Sequence, residues 1–326
     1  MSDQANEINE VTPTSLSHIV GQKAVVEQVR VAVEAAFADS KKFDHALLVG
    51  GPGLGKTQMA FVIAQEMAVD FNEALGQSIK TPGDLNALLL AAKDKSVLHI
   101  DECHEMRKEF QTSLYRAIEG RKLFVQGRSS QVQSLPLADF TLLLSTTDEY
   151  CLLQPLRDRM KLVLRFQFYS DSDLAVLLRQ RSKALNWPVD EAVFPLIAVR
   201  ARGTPRLALR LLQSARRVCR AEGERTITLA QLGRACLLEG IDALGLGPIE
   251  QQYLRILSEG DSRLNVIASR LGLPARTVSQ VVEPFVIRAG FVVKDDNGRR
   301  QLTPLGREHL VKSDEKQPSV KQKGKT

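Results

Sequence analysis

The sequence is poor in cysteine, has no long apolar run and shows no internal repeat. Its four cysteines, Cys103, Cys151, Cys219 and Cys236, lie far apart, and no two share a CxxC spacing. That pattern argues against a thiolate metal site and predicts thiols that stay reduced. The longest apolar runs, TLLLST from 141 and FVIAQEMA from 61, fall well short of the ~18 residues that a membrane span needs. The first residues, MSDQANEINEVTPTS, are polar and acidic and lack the basic and apolar regions of a secretory signal. A cytoplasmic protein without a membrane span is expected. The net charge of +6 and the pI near 9.2 admit nucleic acid as a partner but suit an ordinary solvated surface equally well.

What is present is enough for several cores. With 326 residues, 44% hydrophobic and 25% charged, the chain has material for two or three globular domains. Residues 1–15 and 312–326 are polar, charged and aperiodic, and are expected to be disordered tails. Between 16 and 170, the apolar runs ALLVG, VLHID, FTLLLST and LVLRFQF alternate with amphipathic stretches, the pattern of an α/β domain with a parallel sheet covered by helices. From 171 to about 245 the periodicity is helical, with turns at NWPVD and RGTP, which predicts a small all-α domain. From 246 to 311 a run of helices ends in FVVKDDNGRRQLT, two short strands around an Asn-Gly turn.

GGPGLGKT at 50–57 has the spacing G-x-x-x-x-G-K-T, preceded by the strand-like HALLV and followed by the helix-like TQMAFVIAQEMA. Glycines let backbone N–H groups wrap a phosphate chain, the helix N-terminus adds positive potential, Lys56 reaches the β and γ oxygens, and Thr57 offers a hydroxyl to Mg²⁺. The stretch predicts a nucleotide site. In VLHIDECH, Asp101 and Glu102 close a buried strand, where one carboxylate can hold a magnesium shell and the other can orient the attacking water. The plainer reading of such acids is as caps of the next helix, and His104 beside them reads first as a structural hydrogen-bonding group. TLLLSTTD places Ser145, Thr146 and Thr147 at another strand end, near the crevice of an open parallel sheet or as caps of the next element. PLRDRM at 155–160 carries Arg157 and Arg159 around Asp158: a surface ion pair, or an arginine that stabilises charge on a transferred phosphoryl group.

The order GGPGLGKT, VLHIDECH, STTD, PLRDRM, GTPR is that of an AAA+ ATPase. With LSHIVGQ, YRAIEGRKLFV, FYSDSDL, RGTPRLALRLL, IDALGLGPIEQQYL and EPFVIRAGFV, it resembles the RuvB family of Holliday-junction branch-migration ATPases over residues 16–310. The resemblance implies an AAA+ domain over 16–170, a helical lid over 171–245 and a winged helix over 246–311. It implies ATP and Mg²⁺ as cofactors, held by Ile19, Val20, Gly53, Leu54, Gly55, Lys56, Thr57 and Gln58, with Thr57 and Asp101 on the metal. Glu102 would be the water-activating acid, Thr146 the γ-phosphate sensor and Arg206 the lid residue that reports on the nucleotide. Arg159 would be the finger for a neighbouring subunit, with Arg157 as runner-up. The implied assembly is a homo-hexamer on four-way junctions and their duplex arms.

RKLFVQGRSSQVQSLPL, 121–137, reads as a hairpin around GRSS. In the family such a hairpin docks a junction-binding partner of the RuvA type, while from residues alone it reads equally as an ordinary surface hairpin. RLNVIASRLGL and RTVSQVVEPFVIRAG give two helices in helix-turn-helix order. Val278, Val281, Val282, Phe285 and Val286 form the expected apolar stripe of the second, and Arg276, Thr277, Ser279 and Gln280 face outward. Arg276, Arg299 and Arg300 are the candidate DNA contacts, directed at backbone rather than bases. The chain departs from the family pattern at Gly51, where proline is usual, and at DECHE and STTD, where Glu105 and Asp148 replace basic residues. Glycine suits the loop. The two acids bear on ring contacts and coupling, as in a divergent paralogue. Two rivals stand beside the motor. One is a clamp-loader-like ATPase, which the C-terminal winged helix argues against. The other is a nucleotide-switched DNA-binding scaffold that does not translocate, which intact Glu102 and Arg159 argue against.

Overall fold

A computed structural model describes residues 11–126 and 132–316. The chain divides into two compact units, residues 1–186 with 203–206, and residues 187–202 with 207–326.

The first unit is built on strands β1 (Ala46–Val49), β2 (Phe71–Leu75), β3 (Val97–Asp101), β4 (Lys122–Gln126), β5 (Val132–Pro136), β6 (Thr141–Thr146) and β7 (Leu162–Arg165). Five of them form one parallel sheet in the order β2-β3-β6-β1-β7. Because successive side chains point to opposite faces, the central strands β1, β3 and β6 each feed two cores. Leu47, Leu98, Ile100, Leu142 and Leu144 pack with Leu85 and Leu89 of the helix Pro82–Ala91 and with Phe110, Leu114 and Ala117 of the helix Lys108–Gly120. Ala46, Leu48, Val97, Leu143 and Leu164 pack with Val25, Val29 and Val33 of the helix Lys23–Ala38 and with Met59, Val62 and Ile63 of the helix Lys56–Glu66. Burial on both faces is why β6 is apolar almost throughout. The parallel sheet is as expected, with one addition: β2, FNEAL, is an edge strand with no fully buried residue, too polar to register as an apolar run. The strands β4 and β5 pair antiparallel from Lys122↔Pro136 to Gln126↔Val132. The expected turn at GRSS lies outside the described residues.

The second unit begins with the helix Val193–Arg200 and most of the helix Pro205–Ala221, then Leu229–Glu239, joined by a single bridge between Val189 and Ile227. It continues with the helices Pro248–Ser258 and Leu264–Leu271 and a helix over 275–288. Strands β8 (Ser262–Arg263), β9 (Val292–Lys294) and β10 (Arg299–Leu302) form an antiparallel sheet in the order β8-β10-β9. Together these make a winged helix. The helix over 275–288 widens to a π turn at Val278–Val282, just before Pro284. Proline has no N–H to bond the carbonyl four residues back, and its ring crowds that turn. The wider turn keeps Val278, Val282 and Val286 in the core and leaves Val281, expected in the apolar stripe, 68% exposed. The last helix, Pro304–Lys316, runs past 311, so residues 312–316 are helical rather than part of a disordered tail. Residues 1–10 and 317–326 lie outside the described residues. Among the described residues no helix is long and apolar enough to cross a membrane.

Candidate nucleotide site and nucleic-acid interface

The loop between β1 and the helix Lys56–Glu66 has the conformation a phosphate cradle requires. Gly53 and Gly55 have φ of 74° and 96°, in the left-handed region that favours glycine. A Cβ on Gly53 would lie 2.8 Å from Cβ of Arg206, and the Arg206 N–H reaches the Gly53 carbonyl. The start of the RGTPR helix is thus brought onto the loop. Lys56 is buried, and its Nζ donates to the carbonyls of Gly50 and Gly51 at 2.8 and 3.1 Å. Burial pushes this ammonium below the usual lysine range; Glu102 and Asp101 oppose that shift, while Arg206 adds to it. A buried cation in that state is one that phosphate oxygens stabilise.

The expected adenine-side residues Ile19 and Val20 are half-buried just after the turn Leu16–His18. Tyr169, which sequence reasoning passed over except as part of FYSDSDL, joins them to the loop. A Cβ on Gly21 would lie 2.8 Å from its ring, its N–H donates to the Gly203 carbonyl, and its hydroxyl donates to the Leu54 carbonyl at 3.5 Å. Burial pushes that hydroxyl up to about 12. The Leu54 side chain is buried in the core, so only its backbone faces the loop. Gln58 follows Thr57, and its Oε1 is buried without a hydrogen-bond partner.

The carboxyl ends of β1, β3 and β6 converge at this loop. The Gly50 N–H donates to the Thr146 carbonyl, and Val49 pairs in register with Thr146. Thr57 Oγ1 donates to Asp101 Oδ2 at 2.8 Å, and Asp101 Oδ1 accepts the Glu102 N–H at 2.9 Å. A hydroxyl and one carboxylate fit Mg²⁺, which keeps several waters and takes the rest of its shell from phosphates. Among the described residues no group of three or more His, Cys, Asp or Glu could hold a metal by itself.

Glu102 sits in the left-handed region at φ 47°, ψ 45°, a conformation that costs a non-glycine residue energy and is held by its surroundings. Gly76, after β2, contributes: a Cβ there would come within 2.5 Å of the Glu102 carbonyl oxygen. Glu102 Oε2 is buried without a hydrogen-bond partner and lies 3.4 Å from His104 Nδ1, which is also 3.2 Å from Thr146 Oγ1. Glu105 stands 3.5 Å from the other imidazole nitrogen. Asp148 caps the turn Glu149–Cys151, accepting from the Tyr150 N–H and from Cys151 Sγ. Ser145 is occupied by His99 at 2.8 Å, and Thr147 is exposed.

Arg159 is not part of this cluster. It precedes β7, and the parallel register Ala46↔Leu162 to Val49↔Arg165 puts it beyond the amino end of the sheet. The phosphate loop leaves the carboxyl end of β1, so roughly 13 Å of strand separates the two levels. Its guanidinium donates to the Pro155 carbonyl at 2.6 Å and to Glu119, and lies over the Tyr115 ring at 4.9 Å. The Glu119 carboxylate is mostly exposed; an ion pair of that kind is worth about 1 kcal/mol at most and is readily exchanged for another anion. Arg157 lies instead over the Tyr150 ring at 5.4 Å.

The winged helix divides its arginines. Arg276 is exposed on the second helix, where its Nε donates to Gln280 at 3.1 Å, and Arg299 is exposed at the start of β10. Arg300 is a correction: it is 8% exposed, and its Nε and Nη2 donate to the buried carboxylate of Glu283 at 2.7 and 3.2 Å. Adjacent strand residues face opposite sides, and Arg300 shares the inward side with Leu302. Lys294 and the Tyr253 hydroxyl complete the network. Burial opposes ionisation of Glu283, but the hydrogen bonds from Arg300, Lys294 and Tyr253 outweigh it and hold the carboxyl below the usual glutamate range. The stability this network contributes is therefore present above the ordinary glutamate value of ~4.3 and is lost as pH falls through the depressed folded value. Arg300→Met is expected to destabilise the winged helix by about 3 kcal/mol, read by denaturant melts of the whole chain. Arg299→Ala is expected to leave stability unchanged and to reduce the salt slope of duplex binding by about one.

A phosphate loop, paired acids at the end of β3, a strand-end threonine, an arginine at the start of the RGTPR helix and a C-terminal winged helix define the P-loop AAA+ class of nucleotide-binding proteins. The family model for the Holliday junction DNA helicase RuvB P-loop domain matches residues 11–166, that for the RuvB AAA lid domain 169–242, and that for the RuvB C-terminal winged helix domain 243–311. The chain belongs to the RuvB family. It is 36% identical over 294 residues to the Holliday junction branch migration complex subunit RuvB of Kosmotoga olearia, covering 88% of this chain and 86% of that protein. It is also 36% identical over 315 residues to the subunit of the same name from Methanoregula boonei, covering 94% and 93%. The Thermotoga maritima RuvB Holliday junction branch migration motor superposes with a TM-score of 0.80 at 32% identity, over 92% of this chain and 97% of that one.

Proposed function

We propose that this chain is an ATP-driven motor that binds duplex DNA and drives branch migration of Holliday junctions, in recombination and repair. Lys56 and the backbone from Gly53 to Thr57 hold the phosphates, Ile19 and Val20 flank the base, and Thr57 and Asp101 hold Mg²⁺, which supplies charge neutralisation on the phosphate oxygens. Glu102 orients and deprotonates the attacking water, Thr146 meets the γ-phosphate, and Arg206 reports the nucleotide to the lid.

The observation that carries the reading is the placement of Arg159 beyond the opposite end of the sheet from its own phosphate loop. A finger there serves a neighbour, and a head-to-tail interface of that kind closes into a ring when the rotation between neighbours closes. The homo-hexamer, docking of a RuvA-type partner through the hairpin 121–137, and backbone contacts from Arg276 and Arg299 rest on family membership. The exposed Phe124 on β4 gives that hairpin an apolar contact to offer.

The test is ATP turnover against protein concentration, with and without duplex or four-way-junction DNA. Turnover that rises more steeply than linearly with concentration, and rises further with DNA, supports the ring motor. Turnover strictly proportional to concentration and indifferent to DNA favours the nucleotide-switched scaffold.

A further inference from the structure

Within the proposed nucleotide site, on whose reading this inference rests, His104 faces both groups that are to meet the terminal phosphate and its water. Its ring sits on the short turn Cys103–Glu105, with a side chain 18% exposed. Nδ1 is 3.2 Å from Thr146 Oγ1 and 3.4 Å from Glu102 Oε2, while Nε2 is 3.5 Å from Glu105 Oε1. We propose that His104 is a positioning residue for hydrolysis: through Nδ1 it holds the Glu102 carboxylate in register with Thr146, so that the water-orienting acid responds to what the threonine hydroxyl is bound to.

Thr146 has one hydroxyl hydrogen and two lone pairs. One lone pair is already taken by the Asp148 N–H at 2.9 Å. When no phosphate is present, the hydroxyl hydrogen is free to point at His104 Nδ1, which then accepts. When a γ-phosphate takes that hydrogen, Nδ1 no longer has a donor facing it and is matched only if it carries a hydrogen itself. An Nδ1–H then faces the second lone pair of Thr146 and the carboxylate oxygen of Glu102, two acceptors within 3.4 Å. The exchange moves no net proton: a hydrogen arrives at Nδ1 from water as one leaves Nε2 to water. Glu102 Oε2 is buried without a hydrogen-bond partner, so an Nδ1–H is the donor placed to meet it. A strained, left-handed Glu102 needs such a tether, since a carboxylate displaced by about 1 Å costs roughly 10²-fold in rate.

The two nitrogens can be separated by substitution. Asn places an amide near Nδ1, and Gln places one near Nε2. The experiment compares the parent chain with H104A, H104N and H104Q in ATP turnover, and measures the affinity of each for a fluorescent ATP analogue. H104A is expected to lower kcat roughly 10- to 100-fold with nucleotide affinity unchanged, H104N to recover most of the loss, and H104Q to recover little. Equal recovery by Asn and Gln would reduce His104 to a space-filling role, and unchanged kcat in H104A would remove it altogether; either overturns the proposal. Parallel loss of turnover and affinity overturns it too, by pointing to a collapsed site. If the parent itself binds nucleotide but does not turn it over, the hydrolytic reading falls and takes this inference with it, which is distinct from an active parent matched by its His104 variants.

Discussion

Replacing Glu102 by glutamine is expected to leave ATP bound and unhydrolysed. The substitution keeps the shape of a side chain that lies beside His104 but removes the group proposed to take a proton from water. General-base loss of this kind costs about 10²- to 10⁴-fold in turnover. In the proposed site binding is carried by other groups, the buried ammonium of Lys56 and the N–H groups around Gly53 and Gly55, so affinity for a fluorescent ATP analogue is expected to stay within about threefold, well under the roughly 1.4 kcal/mol that a tenfold change represents. A variant that loses binding together with turnover would show that Glu102 supports the loop rather than the reaction.

Arg159→Ala is expected to lower turnover by about 10³-fold or more, the range in which an arginine finger acts. The distinctive outcome is in mixtures. A subunit lacking Arg159 keeps its own Glu102, and a subunit carrying Glu102→Gln keeps its finger, so an interface formed in the right order between the two contains every part. Equal mixing of the two inactive variants is expected to restore roughly a quarter of the parent rate, the fraction of head-to-tail interfaces of that composition in random assembly. Failure of the mixture to exceed its components would place Arg159 in its own subunit's stability, as the partner of Glu119 over Tyr115. The present contact with Glu119 does not oppose the role in trans, because a pair with an exposed carboxylate is weak enough to be displaced by a phosphate.

Much of this arrangement is legible in the residues alone. The phosphate loop declares itself because the spacing of two glycines, a lysine and a threonine has a mechanical reason and because its flanks read as strand and helix. Asp101, Glu102 and Thr146 stand out as polar residues at the ends of apolar strands, and the parallel sheet brings those ends together. What is not legible has physical causes. The edge strand β2 buries too little of its surface to carry an apolar pattern. Arg299 and Arg300 look alike as letters and differ in strand parity; Leu302, two residues on, is the signal that assigns Arg300 to the inner face. An α-helical period places Val281 in the core stripe, and the π turn before Pro284 alters that period. Tyr169 and Gly76 act through space, one joining Gly21 to Leu54 and the other packing beneath Glu102, and nothing in their local sequence says so. His104 is visible in the sequence as a residue beside a carboxylate, but only the sheet places it opposite Thr146.

The most direct test of the central claim is the conversion of a labelled four-way junction with homologous arms into two duplexes, measured with ATP, with ADP and with a non-hydrolysable ATP analogue, in the presence and absence of a RuvA-type protein. Conversion that requires hydrolysable ATP, is lost in both Glu102→Gln and Arg159→Ala, and returns on mixing those variants is the predicted result. Junctions that are bound in the ATP state and released in the ADP state, yet remain four-way at every protein concentration while ATP is hydrolysed, would contradict the motor and establish a nucleotide-switched DNA-binding protein instead.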